Sequence, residues 1–315
     1  MKIVIWLILC LIWGTTWFFI KIGLEDLPPI TFAAARFILA LLILAVIIFL
    51  QKIPLPKSRR EWKLLALTGV LQFSVNYSLV FWSEQYISSG LAAVLQAMIT
   101  VFGLALAWIH LPNEKITKLK ITAVLLGIAG VAIIFIEQLQ VNSLLAFAGC
   151  AAIVVGAYAA AHGSILVKAY GGAIHPATMV FGQMICGITP LIIYALAVEG
   201  NPFALNWSWR AIICVLYLTV FGTVAAFWLY YWLLSKIEST KAMMISLVTP
   251  LLAVLIGGIF LGERLPLQTF FGGLLIMASI GLIVFRKKLK LPSHSDTVLI
   301  ETEESTAPRP LTIDY

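Results

Sequence analysis

Any chemistry this chain performs must come from a few polar side chains set in apolar sequence. Arg36 lies in PPITFAAARFILALLILAVIIFL, and Lys21 closes WGTTWFFIK, so two cations sit among residues that would otherwise suit hydrocarbon. A cation in such surroundings is costly and must snorkel to an interface, brace a neighbouring group or meet a ligand. For Arg36, about one and a half helical turns into its segment, two readings stay open: snorkelling to the outer interface or bracing a neighbouring carbonyl, or anchoring an anion in a cavity. Lys21 is closer to its segment's end, which favours snorkelling. Trp13 and Trp17 are four apart and share a helical face, suited to packing or to stacking an apolar or aromatic substrate.

Further along, Gln72, Ser74, Asn76 and Tyr77 form the densest polar cluster in any apolar run, with Gln72 and Asn76 on one face. Gln96 and Thr100 repeat the four-residue spacing. Amides of this kind serve as interhelical glue at least as often as they touch a ligand. Tyr158 and His162 are four apart inside GAYAAAHG, whose small residues let helices approach closely. The histidine is either a packing residue or a titrating relay. Phe227, Trp228 and Tyr231 make an aromatic cluster, and Gln183 is the lone amide of its segment. Glu114 and Glu263 each precede a base, Lys115 and Arg264, and read as helix-end ion pairs.

Several chemistries lack their residues. There is no GxxxxGK[ST] loop for nucleotide hydrolysis and no HExxH, and no Ser/His/Asp set can be placed on one face. The four cysteines, Cys10, Cys150, Cys186 and Cys214, stand singly in apolar runs, which points to packing; neither a metal nor a cofactor is expected. Glu84, Glu114, Glu137, Glu199 and Glu263 all fall at segment ends, so no carboxylate sits in mid-segment. Proton-driven carriers commonly bury one there, which favours facilitated transport or exchange unless His162 titrates.

The elements that must hold these residues are membrane spans. Of 315 residues, 62% are apolar and 11% charged, with a mean hydropathy of +1.03, far from the composition of a soluble domain. Ten runs have the length a bilayer core demands: residues 3–24, 31–50, 64–83, 88–111, 120–136, 144–168, 174–198, 210–234, 241–261 and 267–285. The first is long enough to span and carries no small-residue cleavage site, so it reads as a retained helix. With the N-terminus inside, sixteen Lys and Arg fall on the inner side and three on the outer, placing both termini in the cytoplasm of a plasma or inner membrane. The net charge of +7 is thereby a matter of topology, and no nucleic-acid partner is expected. Residues 289–315, rich in Ser, Thr, Pro and Glu, read as a disordered cytoplasmic tail.

The chain also repeats. SSGLAAVLQAMITVFGLALAWIHLPNEKI from Ser88 matches STKAMMISLVTPLLAVLIGGIFLGERL from Ser239: Ser89 falls opposite Ser239, Ala92 opposite Ala242, Thr100 opposite Pro250, and Glu114 opposite Glu263 after a one-residue slip. Upstream, Trp82 falls opposite Trp232 and Pro29 opposite Pro176. Five spans per half, residues 1–140 and 141–288, force the second half to insert upside down, which is the inverted repeat of many transporters.

WGTTWFFIKIGL, the Pro-Pro turn with AAARF, and the segments ending in PNEK and LGER resemble the EamA family of the drug/metabolite transporter superfamily, over residues 3–285. One departure is Thr100, where the family usually has the proline that the second half keeps as Pro250. The resemblance implies an all-α membrane protein of ten helices in two inverted repeats. It also implies a cavity enclosed by spans 1, 3, 4, 6, 8 and 9. On that basis Trp13, Asn76, Tyr77, Gln96, Tyr158, His162 and Trp228 are pocket candidates, alongside Trp17 and Arg36. The activity expected is export of small metabolites, amino acids or related compounds, by alternating access. The alternatives are an uptake carrier, a sugar or nucleotide-sugar exchanger, and, from another class, an enzyme or scaffold on the same fold. A nucleotide sugar would need more pocket cations than the sequence offers. The partners expected are a small-molecule substrate and the lipid bilayer, with a homodimer left open.

Overall fold

The computed structural model describes residues 1–87, 92, 95–134, 136, 143–261 and 267–284. All its regular elements among these residues are helical. They are α1 (Lys2–Gly23), α2 (Pro29–Leu50), α3 (Arg59–Ser83), α4 (Ile99–His110), α5 (Lys118–Ile134) and α6 (Leu144–Tyr170). They continue with α7 (Pro176–Glu199), α8 (Trp209–Lys236), α9 (Ser239–Met243), α10 (Ile245–Leu261) and α11 (Leu267–Val284). Six of them, α1, α2, α3, α6, α7 and α8, are long and apolar enough to cross a bilayer, and shorter apolar helices accompany them. Expectations about Ser88, Ser89, Glu137, Glu263 and the tail fall outside the described residues.

Local chemistry starts each helix. Pro29 and Pro176 occupy the first turns of α2 and α7, where a missing N–H costs nothing. Ser58 and Glu61 form a reciprocal capping box at α3, and Ser143 and Ser208 accept backbone N–H groups at α6 and α8. Two helices are capped from afar. Glu199, closing α7, accepts the backbone N–H groups of Ile30 and Thr31 at 2.9 and 2.6 Å. Glu114, just past α4, accepts the N–H of Ser239 at 3.0 and 2.9 Å and its hydroxyl at 2.5 Å. A carboxylate at a helix N-terminus also meets the positive end of the helix dipole.

The packing is reciprocal. α1 lies along α10 and α4 along α6; α3 lies on α6 and α1 on α8; α3 packs on α7 and α2 on α8; α2 meets α7, and α5 meets α11. Both α3 and α8 relax into a π segment midway, Val70–Asn76 and Val220–Ala225. Large apolar side chains such as Phe49, Trp108, Phe203 and Phe271 remain outside, a surface that suits hydrocarbon rather than water.

Polar contacts cross between helices at the lysine-rich end of the bundle. Lys168 Nζ donates to the carbonyls of Leu234 and Ile237 at 2.6 and 2.8 Å and lies 3.9 Å from Glu114. Lys120 pairs with Glu238 at 3.2 Å, and Lys2 donates to the carbonyl of Lys236.

Candidate functional site

A cavity of about 130 Å³ lies inside the bundle between helices of both halves of the chain. α1 contributes Trp13, Thr16, Trp17 and Ile20, at the spacing of one helical face. α3 contributes Gln72, Asn76, Tyr77 and Val80, and Gln96 and Ile99 come from the chain that opens α4. Opposite them stand Ala160 and Ser164 of α6, Phe227 and Tyr230 of α8, and Met243, Ser246 and Thr249 from α9 and α10. Among the described residues no Asp, Glu, Lys, Arg or His lines it.

The wall is aromatic with a few aimed polar atoms. Trp13 packs against Phe227 and Tyr230, with ring centroids 5.7 and 5.3 Å away. Its Nε1 is buried without a hydrogen-bond partner. Gln96 donates its Nε2 to Asn76 Oδ1 at 3.1 Å, and its Oε1 is likewise buried and unpartnered. Buried polar atoms are normally satisfied, so a free donor and a free acceptor in one cavity wall are suited to a polar guest. Thr100 and Ser246 share a hydrogen bond of 2.9 Å between α4 and α10.

Of the sequence candidates, Trp13, Trp17, Asn76, Tyr77 and Gln96 come together around this cavity. Arg36 does not line it. It is 1% exposed, donates Nε and Nη2 to Thr223 Oγ1 at 3.2 and 3.0 Å, and lies 5.0 Å from the Tyr77 ring centroid, so it reaches no interface. Tyr158, 43% exposed, packs edge-on against Phe102, while His162 sits 5.7 Å from His110; both face away from the cavity. The reason is helical phase: Ala160 and Ser164 hold the lining face of α6, and two residues' offset turns a side chain about 200° away. Trp228 meets His175 at 6.0 Å, one position off the Phe227 face. Thr16, Ser164, Tyr230, Ser246 and Thr249 also line the cavity without having stood out in the sequence; only Thr16 carried a signal, a small hydroxyl one helical turn from Trp13.

A bundle of bilayer-length helices around a lined internal cavity, with no cofactor-binding motif in its sequence, is the architecture of a membrane transporter. The chain belongs to the EamA-like transporter family, whose profile matches residues 1–136 and 147–285. It is 30% identical over 288 residues to an uncharacterized transporter of Archaeoglobus fulgidus, covering 90% of this chain and 99% of that one. It is 31% identical over 264 residues to the uncharacterized inner membrane transporter YedA of Escherichia coli K12, covering 82% of each. It is 26% identical over 275 residues to the uncharacterized transporter YoaV of Bacillus subtilis, covering 87% of this chain and 94% of that one. A solved crystal structure shares the fold with a TM-score of 0.78 at 13% identity, over 92% of this chain and 99% of the other.

Proposed function

We propose that this transporter is a secondary carrier that moves small metabolites, amino acids or related compounds, out of the cell by alternating access. In this reading ten spans form two inverted repeats, residues 1–140 and 141–288, with both termini in the cytoplasm of the cell membrane. The reciprocal packing supports the repeat: α1 on α10 matches α6 on α4, and the π segments of α3 and α8 fall at corresponding places. The excess of lysine and arginine at one end supports the orientation. That end is also the one tied by Lys168, Glu114 and Lys120, which makes it the gate that must part for a substrate to enter from the cytoplasm.

The observation that carries the substrate class is the cavity itself: aromatic walls, no charged lining residue among the described residues, and a fully buried donor and a fully buried acceptor, Trp13 Nε1 and Gln96 Oε1, without partners. Such a site suits a small molecule with an apolar body and a compact polar head, and not a nucleotide sugar, whose phosphates would call for lining cations. The test is counterflow of labelled leucine and phenylalanine in proteoliposomes. Wild type is expected to exchange them, and Trp13→Ala with Gln96→Ala to lower the rate about tenfold or more, for loss of an aromatic wall and a polar contact. Wild-type rates in the double variant remove the cavity from the path. No flux of any amino acid removes the substrate class.

A further inference from the structure

The cavity is uncharged, but the faces that line it do not end uncharged. On α3 the lining residues Gln72, Asn76 and Val80 recur every fourth position, and the next position is Glu84, directly after the helix's last residue, Ser83. On α1 the lining pair Trp13 and Trp17 leads by the same step to Lys21. One acid and one base therefore stand at the mouth remote from the lysine-rich end. They form no ion pair within 4.0 Å; Lys21 is exposed, whereas Glu84 is half-buried with its Oε1 fully buried and without a hydrogen-bond partner. The neighbouring acids are otherwise engaged: Glu25 holds Arg210 at 2.9 Å, and Asp26 accepts from Ser208 at 2.6 Å. Of the helices against this end of α3, the outer turns of α6 offer Cys150 as a titratable group, and the outer turns of α2 offer Arg36, which gives Nε and Nη2 to Thr223 and faces the Tyr77 and Phe81 rings with its Nη1 unpartnered.

We propose that Glu84 is a substrate-binding residue that holds a cationic ammonium group while the rest of the molecule lies against Trp13, Trp17 and Tyr77. The inference rests on the cavity being the substrate site and narrows what that site accepts: an amphipathic molecule whose polar head carries positive charge. Three features fit it. A buried carboxyl oxygen without a donor is an unmet acceptor, and an ammonium group is the strongest partner for it. Aromatic faces attract cations, and five aromatic residues line the approach. Among the described residues no cation lines the cavity itself; Lys21 at the mouth and Arg36, behind the Tyr77 ring at 5.0 Å, repel a cationic guest only from outside it.

Burial pushes the Glu84 carboxyl up to about 8, with Lys21 acting in the opposite direction. The empty site thus holds a proton below that pH, and an arriving cation displaces it: the carboxylic acid O–H breaks, the proton leaves to water, and the carboxylate faces the ammonium. Binding of a permanent cation accordingly tightens as pH rises through about 8.

The test uses the purified full chain in lipid, with quenching of tryptophan fluorescence by phenyltrimethylammonium, a permanent cation, and by phenylacetate, an anion of similar size. Wild type is expected to bind the cation in preference to the anion and more tightly at higher pH. Glu84→Gln should weaken cation binding about tenfold and flatten its pH dependence, while Glu84→Asp retains part of both. Well above pH 8, where the carboxyl is ionised with or without Lys21, Lys21→Gln should tighten cation binding by a few fold, since it removes a repelling charge. If Glu84 only braces Lys21, the two neutral substitutions will instead act alike, which overturns the proposal. So does a wild type that does not bind the cation, or Glu84→Gln binding it as wild type does. Amino-acid counterflow by the same preparation decides the transport reading separately.

Discussion

Two buried polar nodes invite comparison, one in each half of the chain. Arg36 stands seven residues after the proline that opens α2, and Gln183 seven after the one that opens α7. Both are fully buried, at 1% and 0% exposure. Each reaches across the halves to a threonine of a π-containing helix: Arg36 to Thr223 of α8, and Gln183 Nε2 to Thr68 of α3 at 2.8 Å. The geometry is shared and the charge is not. Arg36 has no carboxylate within ion-pair distance among the described residues and instead faces the rings of Phe37, Tyr77 and Phe81 at 4.8, 5.0 and 5.9 Å. An amide suffices to join two helices, as Gln183 demonstrates, so the cation at the matching place must serve something besides cohesion. Tyr77, the ring it faces, is also a wall of the cavity.

The largest effect is expected from making the two nodes alike. Arg36→Gln keeps a donor for Thr223 and removes the charge beside Tyr77; transport in proteoliposomes should fall about tenfold or more, with Arg36→Lys retaining part of it. Stability should move the other way or not at all, because an unpaired buried cation carries a desolvation cost that a neutral amide does not. Wild-type transport by Arg36→Gln, with a lowered melting temperature, would make the cation a mere brace and erase the contrast.

The crossings differ as well. α3 and α7 meet backbone to backbone: a Cβ at Gly187 would strike the carbonyl of Gly69, and one at Gly69 the carbonyl of Gln183; Ser74 donates its hydroxyl to the Gly187 carbonyl between them. The π segment of α8 meets α1 and α2 through side chains, since a Cβ at Gly222 would lie 3.0 Å from Thr16 Cγ2 and 3.8 Å from Arg36 Nη2. Backbone cannot yield as a methyl can. Gly187→Ala should therefore cost about 1–3 kcal/mol and Gly222→Ala less than about 1 kcal/mol, ranked by apparent melting temperature in lipid. Equal shifts would mean that the α3–α7 crossing opens as readily as the other.

Much of this was legible in the sequence, for reasons that mark where legibility stops. Membrane length and the Pro-Pro turn located α1 and α2, and the polar cluster from Gln72 to Tyr77 located one cavity wall, because both signals are local. Which way a residue faces is not local. Tyr158 and His162 share a face, as their spacing said, but the cavity takes the face of Ala160 and Ser164, where small side chains leave room. Within α3 the π segment Val70–Asn76 adds a residue to the turn and shifts the phase on which α-helical spacing relies. The bond from Arg36 to Thr223 spans 187 positions and depends on two helices' rotations at once. Glu84 looked like an ordinary segment-end acid, since burial of its Oε1 is set by neighbouring helices and not by its own flanks.

The smallest effect should come from the neutral node, and it calibrates the other. Removing the Thr68–Gln183 bond by Thr68→Val, Gln183→Leu and both together should give a coupling of about 0.6 kcal/mol, the size usual for a neutral interhelical hydrogen bond in a membrane protein. The same cycle on Thr223 and Arg36 should give roughly 1.5–3 kcal/mol, because the donor there is charged and contributes two N–H groups. Transport should barely respond to Gln183→Leu, since Gln183 does not line the cavity. If the two couplings prove equal, the guanidinium is screened within the bundle and adds nothing beyond an amide. If Gln183→Leu abolishes transport while Arg36→Gln does not, the asymmetry is real but reversed. The working node is then the neutral one, with the Thr68 contact between α3 and α7 as the joint that moves.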